Sequence, residues 1–243
     1  MHFMFSKLLK HSVNFIFPVT CSSCGVYIQD DSNRICPDCF KKIEFIKPLF
    51  CQKCGLPLHS GGAHCYNCLH PEGKIYYESL RGTCVFEGVI KDLVHSYKYS
   101  SKEYLSKTFG NMLTNYLQDY NDLQNVDLVV PVPLHWYKKF KRGYNQSELL
   151  AKEVSLFYKK PLVCDNVIRK KYTKQQVGLS RKDRLINVND AFGLKRPDEF
   201  KNKTVLVIDD VSTTGETVNQ CAKVLKSSGA NKVYGLTLAR DVY

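Results

Sequence analysis

Residues 204–217 read TVLVIDDVSTTGET, and this stretch decides the fold. Its first five residues, 204–208, form an apolar run that predicts a buried β-strand. Two carboxylates, Asp209 and Asp210, follow at the predicted strand end, and small hydroxyl residues then lead into a helical pattern over 217–228. Because the free backbone N–H groups of a helix N-terminus attract anions, this turn predicts an anion site beside two carboxylates. A capped turn with two solvated aspartates is the alternative.

Strands and helices alternate along the surrounding region. The predicted strands are residues 126–130, 204–208 and 232–239, and the predicted helices are residues 147–158 and 217–228. This alternation favours an α/β fold with a mostly parallel sheet flanked by helices. Ligands of such sheets lie beyond the carboxyl ends of the strands, which points to Asp209 onward and Pro131 onward.

The cysteines define a second, unlike part of the chain. Eight of the 11 lie in four CxxC pairs, separated by 11, 11 and 10 residues: Cys21 and Cys24, Cys36 and Cys39, Cys51 and Cys54, Cys65 and Cys68. Since a tetrahedral site takes two such pairs, we expect two four-cysteine zinc sites. Four thiolates close the coordination shell, so these zinc ions are expected to be structural. Sequential and cross-braced pairing both remain possible.

The net charge and the cysteine usage of the chain limit its possible partners and compartment, but they do not identify its function. The 243 residues include 35 Lys and Arg against 23 Asp and Glu, which suggests anionic partners without naming them. Clustered cysteines are typical of metal sites in a reducing compartment, so we expect a cytoplasmic protein. No segment approaches the roughly 18 apolar residues that a membrane span needs. Residues 1–20 predict an amphipathic helix that packs on the next module, with a membrane-surface helix as the alternative.

The string VLVIDDVSTTGET resembles the phosphoribosyl-pyrophosphate (PRPP) motif of type I phosphoribosyltransferases. Other features narrow the resemblance to the competence protein F (ComF/GntX-like) family, and together they span almost the whole chain. They are the double CxxC ribbon, Lys98-Tyr99, PVPLH at 131–135, RGYNQ at 142–146, and residues 176–192 from QVGLSR to Phe192. The resemblance implies a type I phosphoribosyltransferase-like domain over 73–243, after a double zinc ribbon over 21–72.

The resemblance also implies roles for individual residues. Asp209 and Asp210 are expected to contact the ribose hydroxyls of PRPP, and residues 212–217 to form a phosphate loop that wraps its 5′-phosphate. Mg²⁺ is expected to bridge its pyrophosphate and ribose oxygens. The implied PRPP-binding set is Asp209, Asp210, Val211, Ser212, Thr213, Thr214, Gly215, Glu216 and Thr217, the pyrophosphate turn Pro131, Val132 and Pro133, and the cation Lys98.

Catalysis of such a transfer requires positive charge around the departing pyrophosphate. We predict catalytic roles for Asp209 and Asp210 and for three cations: Arg142, Arg181 and Arg184. The last two lie in a basic stretch whose placement is similar to the mobile loop that closes over PRPP in type I enzymes. A solvated loop is the alternative for the other charges of that stretch.

Two functions from different classes follow. The first is a PRPP-dependent phosphoribosyltransferase with an unknown acceptor, acting in natural competence, with nucleobase salvage as a variant. The second is a non-catalytic adaptor in DNA uptake that uses the PRPP site as a ligand sensor and binds single-stranded DNA beside a helicase-like partner. Aromatic residues among basic ones favour strand binding, since rings stack on bases; they are Trp136, Phe140, Tyr144 and Tyr172.

Overall fold

The computed structural model describes residues 18–29, 33–58, 61–171 and 191–242. The strands are β1 (Leu80–Val85), β2 (Leu128–Pro131), β3 (Val167–Arg169), β4 (Phe192–Leu194), β5 (Thr204–Ser212) and β6 (Lys232–Arg240). The helices are α1 (Pro37–Lys41), α2 (Tyr66–Leu69), α3 (Gly88–Tyr99), α4 (Leu105–Leu117), α5 (Asn121–Gln124), α6 (Trp136–Arg142), α7 (Gln146–Tyr158) and α8 (Glu216–Ser227), with a 3₁₀ turn at Pro197–Phe200.

Four strands form one parallel sheet in the order β1-β6-β5-β2. The remaining two, β3 and β4, pair antiparallel as a separate ribbon. The α/β fold with a mostly parallel central sheet is therefore confirmed. The carboxyl ends of all four parallel strands lie along one edge, where a ligand is expected.

Helices cover both faces of this sheet. On one face, Leu206 and Ile208 of β5 pack in a core with residues of α3, α4 and α7. On the other face, Val205 and Val207 pack with α8 and the β3–β4 pair. Alternate residues of one strand thus enter two different cores, which is why residues 204–208 read as an unbroken apolar run.

Two of the element boundaries that differ from the sequence prediction position residues of the site. Strand β5 continues four residues beyond Ile208, because β6 runs alongside it and pairs Asp209 with Thr237 and Ser212 with Arg240. Both aspartates are therefore strand residues and not residues of a turn. Helix α7 begins one residue earlier than predicted, after Asn145, so Ser147 lies in its first turn.

The two cysteine ribbons pack differently on this domain. Cys21, Cys36 and Cys39 belong to the same core as α3 and α4. Cys51, Cys54 and Cys65 form a small cluster of their own, which contacts the start of β1. Among the helices of the described ranges, none has the length and apolar character required to cross a membrane.

Candidate functional site

A cleft of about 1210 Å³ opens where the four parallel strands end. Each strand contributes to its wall: Phe86 follows β1, Val132 follows β2, Asp209 lies near the end of β5, and Asp241 follows β6. Backbone hydrogen bonds beyond the strand ends hold this edge together, since the N–H of Val132 donates to Ile208 at 2.8 Å and that of Asp241 to Ser212 at 2.8 Å. The cleft lies at the edge where a ligand was expected.

The two aspartates lie side by side at the base of the cleft, and both are buried. The Ser147 hydroxyl donates to Asp209 Oδ1 at 2.8 Å, and the backbone N–H of Asp210 donates to the same oxygen at 2.9 Å. Lys98 Nζ, in the last turn of α3, lies 2.9 Å from Asp210 Oδ1. Helices α3 and α7 therefore each deliver one side chain that fixes a carboxylate.

Burial and, second, the negative charge of Asp210 together raise the pKa of Asp209 to about 7. The Ser147 hydrogen bond and the Lys98 ammonium oppose this shift, and Arg169 also faces the carboxyl with positive charge. A buried carboxyl that lies beside a second carboxyl and has a pKa near neutral is typical of functional sites.

We expect Asp209→Asn to stabilise the protein, and more at pH 8 than at pH 5.5. Since the pKa of Asp209 lies above its ordinary 3.8, the folded protein keeps a proton that the unfolded chain releases between about pH 4 and 7. The free energy of unfolding therefore falls as pH rises through this window, and asparagine removes that loss. The gain should be about 2 kcal/mol larger at pH 8, or roughly 4–8 °C in Tm. Equal gains at both pH values would contradict the buried, proton-holding carboxyl.

Four cations also line the cleft, and we call this part of its lining the cationic wall: Lys98, Lys138, Arg142 and Arg169. Burial and, second, the neighbouring charges of Arg169, Arg142 and Lys98 together lower the pKa of Lys138 to about 8. Arg142 donates to the Gln146 side chain, and its guanidinium lies 5.2 Å from the centroid of the Tyr99 ring. A lysine surrounded by other positive charges in a cleft favours a ligand with several negative charges.

The predicted phosphate loop, residues 212–217, divides into two groups of side chains. Val211 before it, with Thr213 and Thr217, lines the cleft. The other side chains form hydrogen bonds that fix the shape of the loop. Ser212 Oγ accepts from Arg240 Nη1 at 2.7 Å. Thr214 Oγ1 accepts from the N–H of Glu216 at 3.3 Å, and the Glu216 carboxylate accepts from Gln220 at 2.7 Å. Gly215 has φ +84°, a conformation that favours glycine, and directly precedes α8.

The predicted pyrophosphate turn follows β2. Pro131 is the last residue of that strand, and Val132 and Pro133 line the cleft. Asn145 donates through Nδ2 to the carbonyl of Val132 at 3.1 Å and so fixes the turn. This contact, like that of Ser147, joins residues distant in sequence, and its only sequence signal was the RGYNQ string.

The remaining predicted cations and aromatic residues fall into three groups: residues that line the cleft, a residue that is buried, and residues that the structure does not describe. Lys98 and Arg142 line the same cleft as the aspartates. Tyr144 is buried and donates to the carbonyl of Tyr97, so its ring is not available to a base. Arg181, Arg184 and Tyr172 lie outside the described residues.

The eight paired cysteines form two groups whose ligand atoms all lie within 4.8 Å of one another. The first site consists of Cys21, Cys24, Cys36 and Cys39, and the second of Cys51, Cys54, Cys65 and Cys68. The pairing is sequential and not cross-braced. The Sγ–Sγ distances of 3.7 Å for Cys24–Cys36 and 3.6 Å for Cys54–Cys65 match the edge of a zinc–thiolate tetrahedron, about 3.8 Å for bonds of about 2.3 Å. The residues present fit zinc.

Residues 12–69 match the family model of the double zinc ribbon domain, and residues 112–241 match that of the phosphoribosyl transferase domain. Fold and cleft thus define a phosphoribosyltransferase-type domain that carries a double zinc ribbon. Competence protein F of Haemophilus influenzae is 31% identical over 232 residues, which cover 94% of this chain and 99% of that protein. The chain belongs to the competence protein F family.

Two other relatives are similar over most of their length. The DNA utilization protein YhgH of Escherichia coli K12 is 28% identical, covering 93% of this chain and 98% of that protein. The competence protein ComFC of Streptococcus pneumoniae is 27% identical, covering 90% of this chain and 87% of that protein. Among solved structures, a purine phosphoribosyltransferase from Pyrococcus horikoshii is 16% identical with a TM-score of 0.36, covering 57% of this chain and 85% of that one.

Proposed function

We propose that this protein binds PRPP with Mg²⁺ in the cleft at the strand ends and transfers its phosphoribosyl group to an acceptor during DNA uptake. The observation that carries the proposal is the buried pair Asp209 and Asp210, in a cleft that is also lined by Thr213 and Thr217 at the start of α8 and by several cations. Such a cleft suits a sugar that bears phosphate at one end and pyrophosphate at the other.

Each part of PRPP has a counterpart in the cleft. The carboxylates of Asp209 and Asp210 would accept hydrogen bonds from the ribose hydroxyls, while the phosphate loop takes the 5′-phosphate. The turn at Val132 and Pro133 faces the same cleft and would hold the pyrophosphate. Lys98 pairs with Asp210 and lines the same cleft, and it would contact a pyrophosphate oxygen when the ligand binds.

Transfer breaks the bond between ribose C1 and the pyrophosphate oxygen and forms a bond from C1 to the acceptor. The pyrophosphate leaves with increased negative charge, and Lys138, Arg142 and Arg169 would stabilise it from the cationic wall. Mg²⁺ would be held mainly by substrate oxygens, with Asp209 and Asp210 the nearest carboxylates, and would neutralise part of the leaving charge.

Pyrophosphate release tests the transfer step. The zinc-loaded protein is incubated with PRPP and Mg²⁺, first alone and then with each nucleobase or with a single-stranded oligonucleotide. We expect release to rise with one acceptor class above the slow hydrolysis seen without it. PRPP binding without release in any mixture would overturn the transferase and favour a ligand sensor.

The second candidate is single-stranded DNA binding, supported by the surface of α6. Trp136 is 71% exposed and Phe140 85% exposed, and the same short helix carries Lys138, Lys139 and Lys141. Exposed rings among cations are what strand-binding proteins use to stack bases and neutralise phosphates. The relatives' names, competence and DNA utilization, support a place in DNA uptake. A helicase-like partner and a cytoplasmic location are part of this second proposal.

Replacing Trp136 and Phe140 together with alanine should weaken binding of a fluorescent oligonucleotide by about tenfold or more, since each stacked base contributes roughly 1–3 kcal/mol. The matched control is Leu156→Ala with Phe157→Ala, two exposed apolar residues of α7 that lie outside the cleft. An equal loss in both double variants, or none in either, would contradict strand binding at α6.

A further inference from the structure

The second zinc site lies directly against the first strand of the sheet. The N–H of Leu80 donates to the carbonyl of Lys53 at 2.9 Å, and Arg81 Nη1 donates to that of Gln52 at 2.9 Å. A Cβ at Gly55 would lie 2.6 Å from the Leu80 carbonyl oxygen, so the Cys51–Cys54 turn and β1 are in close backbone contact. Any change in the shape of this turn must therefore move β1.

Leu80 also contacts the phosphate loop, together with Tyr77 and Arg240. A Cβ at Gly215 would meet Leu80 Cδ2 at 3.0 Å, Tyr77 Oη at 3.2 Å and Arg240 Nη1 at 3.7 Å. Arg240 also donates to Ser212 Oγ at 2.7 Å. Leu80 and Arg240 thus lie between the second zinc site and the loop.

Arg240 needs a negative partner that its neighbours in the sheet do not supply. It is 4% exposed, and it forms no ion pair with a carboxylate among the described residues. A buried charge without compensation is strongly unfavourable. Leu80 Cδ2 and Arg240 Nη1 both approach Gly215, and the Leu80 carbonyl approaches Gly55, the neighbour of Cys54, so Leu80 connects Arg240 with the second zinc site. Four thiolates with one Zn²⁺ carry a net charge of −2, which would balance Arg240.

We propose that the second zinc site positions the phosphate loop: its zinc–thiolate charge holds the buried Arg240, which holds Ser212, while the Cys51–Cys54 turn holds Leu80 under Gly215. The proposal rests on the proposed function in so far as the loop takes the 5′-phosphate of PRPP. Arg240 is a positioning residue and does not itself line the cleft among the residues described there.

The first zinc site provides the internal control. Its ribbon contacts α4 and the segment before it: the N–H of Arg34 donates to Thr108 Oγ1 at 3.3 Å, and the Ser22 hydroxyl lies 3.2 Å from that of Tyr104. Among the described residues, none of these polar contacts reaches the loop 212–217. Loss of the first zinc should therefore lower the overall stability but leave the loop in place at temperatures where the protein stays folded.

The test compares Cys68→Ser with Cys24→Ser, each replacing the most exposed ligand of its site. Zinc content, hydrogen exchange of the amides of 212–217 and PRPP affinity are measured on the full chain. We expect Cys68→Ser to speed exchange in the loop and to weaken PRPP binding about tenfold or more, within the usual range of coupling between sites. Cys24→Ser should leave both within about twofold. Equal effects, or an unchanged loop after loss of the second zinc, would overturn the proposal.

A second pair of variants keeps the test informative if Cys68→Ser does not fold. Arg240→Lys keeps the buried charge, and Arg240→Met keeps a similar unbranched shape without it. We expect loop exchange to rise markedly in Arg240→Met and to be largely restored in Arg240→Lys; equal exchange in the two would contradict an electrostatic link. Hydrogen exchange is measured without ligand and therefore tests the link between the second zinc site and the loop by itself. A wild-type protein that does not bind PRPP would contradict the proposed function but would leave this test intact.

Discussion

Replacing Asp209 and Asp210 together with asparagine should weaken PRPP binding by about a hundredfold or more. Both carboxylates are buried at the base of the cleft, where each would accept a hydrogen bond from a ribose hydroxyl. Hydrogen bonds to charged groups contribute roughly 1.5–3 kcal/mol each, and two of them correspond to at least about two orders of magnitude in affinity. Calorimetric titration with PRPP and Mg²⁺ measures the effect.

The loss should not come from unfolding. Asp209→Asn removes a buried carboxyl whose pKa is raised to about 7 by burial and by Asp210, which stabilises the protein at pH 8. This gain opposes the loss of the Lys98–Asp210 ion pair, so the double variant should stay folded at pH 8. Asp198→Asn, on the exposed 3₁₀ turn, removes one negative charge outside the cleft and is the control. An affinity unchanged by the double substitution would remove these aspartates from the site.

Loss of the first zinc site should destabilise the whole protein. Cys36 and Cys39 are buried in the same core as α3 and α4, and structural zinc contributes about 10 kcal/mol or more of binding free energy that is coupled to folding. In the variant Cys36→Ser with Cys39→Ser, we expect zinc content to fall from two ions per chain to one. We expect Tm to fall by about 10 °C or more, at roughly 2–4 °C per kcal/mol for a chain of this size.

Cys164→Ser tests whether the effect belongs to the metal. Cys164 is a half-buried cysteine outside both four-cysteine groups, so its replacement should leave two zinc ions per chain and a Tm within a few degrees of the wild type. A Tm that falls as far in Cys164→Ser as in the double variant would show general cysteine sensitivity instead of a zinc requirement. A wild-type content of one zinc per chain would contradict the double ribbon.

Sequence patterns predicted the parts of the fold that depend on local spacing. The CxxC pairs gave two metal groups, and the apolar runs gave three of the four parallel strands. Strand β1 was missed because LRGTCV mixes polar and apolar residues, although all six are buried in the sheet. The extension of β5 to Ser212 was also missed, because pairing with β6 determines the strand end and aspartates are rare in strands.

The site was predicted in outline but not in its supporting contacts. Ser147 was predicted to open a helix, yet it donates to a carboxylate 62 residues away. No individual role was predicted for Arg169 or Lys138, which line the cleft. Tyr144 was predicted to favour strand binding, yet its ring is buried. Charge and aromaticity can be read from sequence, but the direction of a side chain depends on tertiary packing.

The central claim is that the cleft at the strand ends binds PRPP. Calorimetric titration of the zinc-loaded protein with PRPP and Mg²⁺, followed by competition with ribose 5-phosphate and with pyrophosphate, tests it most directly. We predict one PRPP site per chain, with each fragment competing at lower affinity because the fragments occupy the two ends of the same cleft. No binding of PRPP, or binding that neither fragment displaces, would contradict this account.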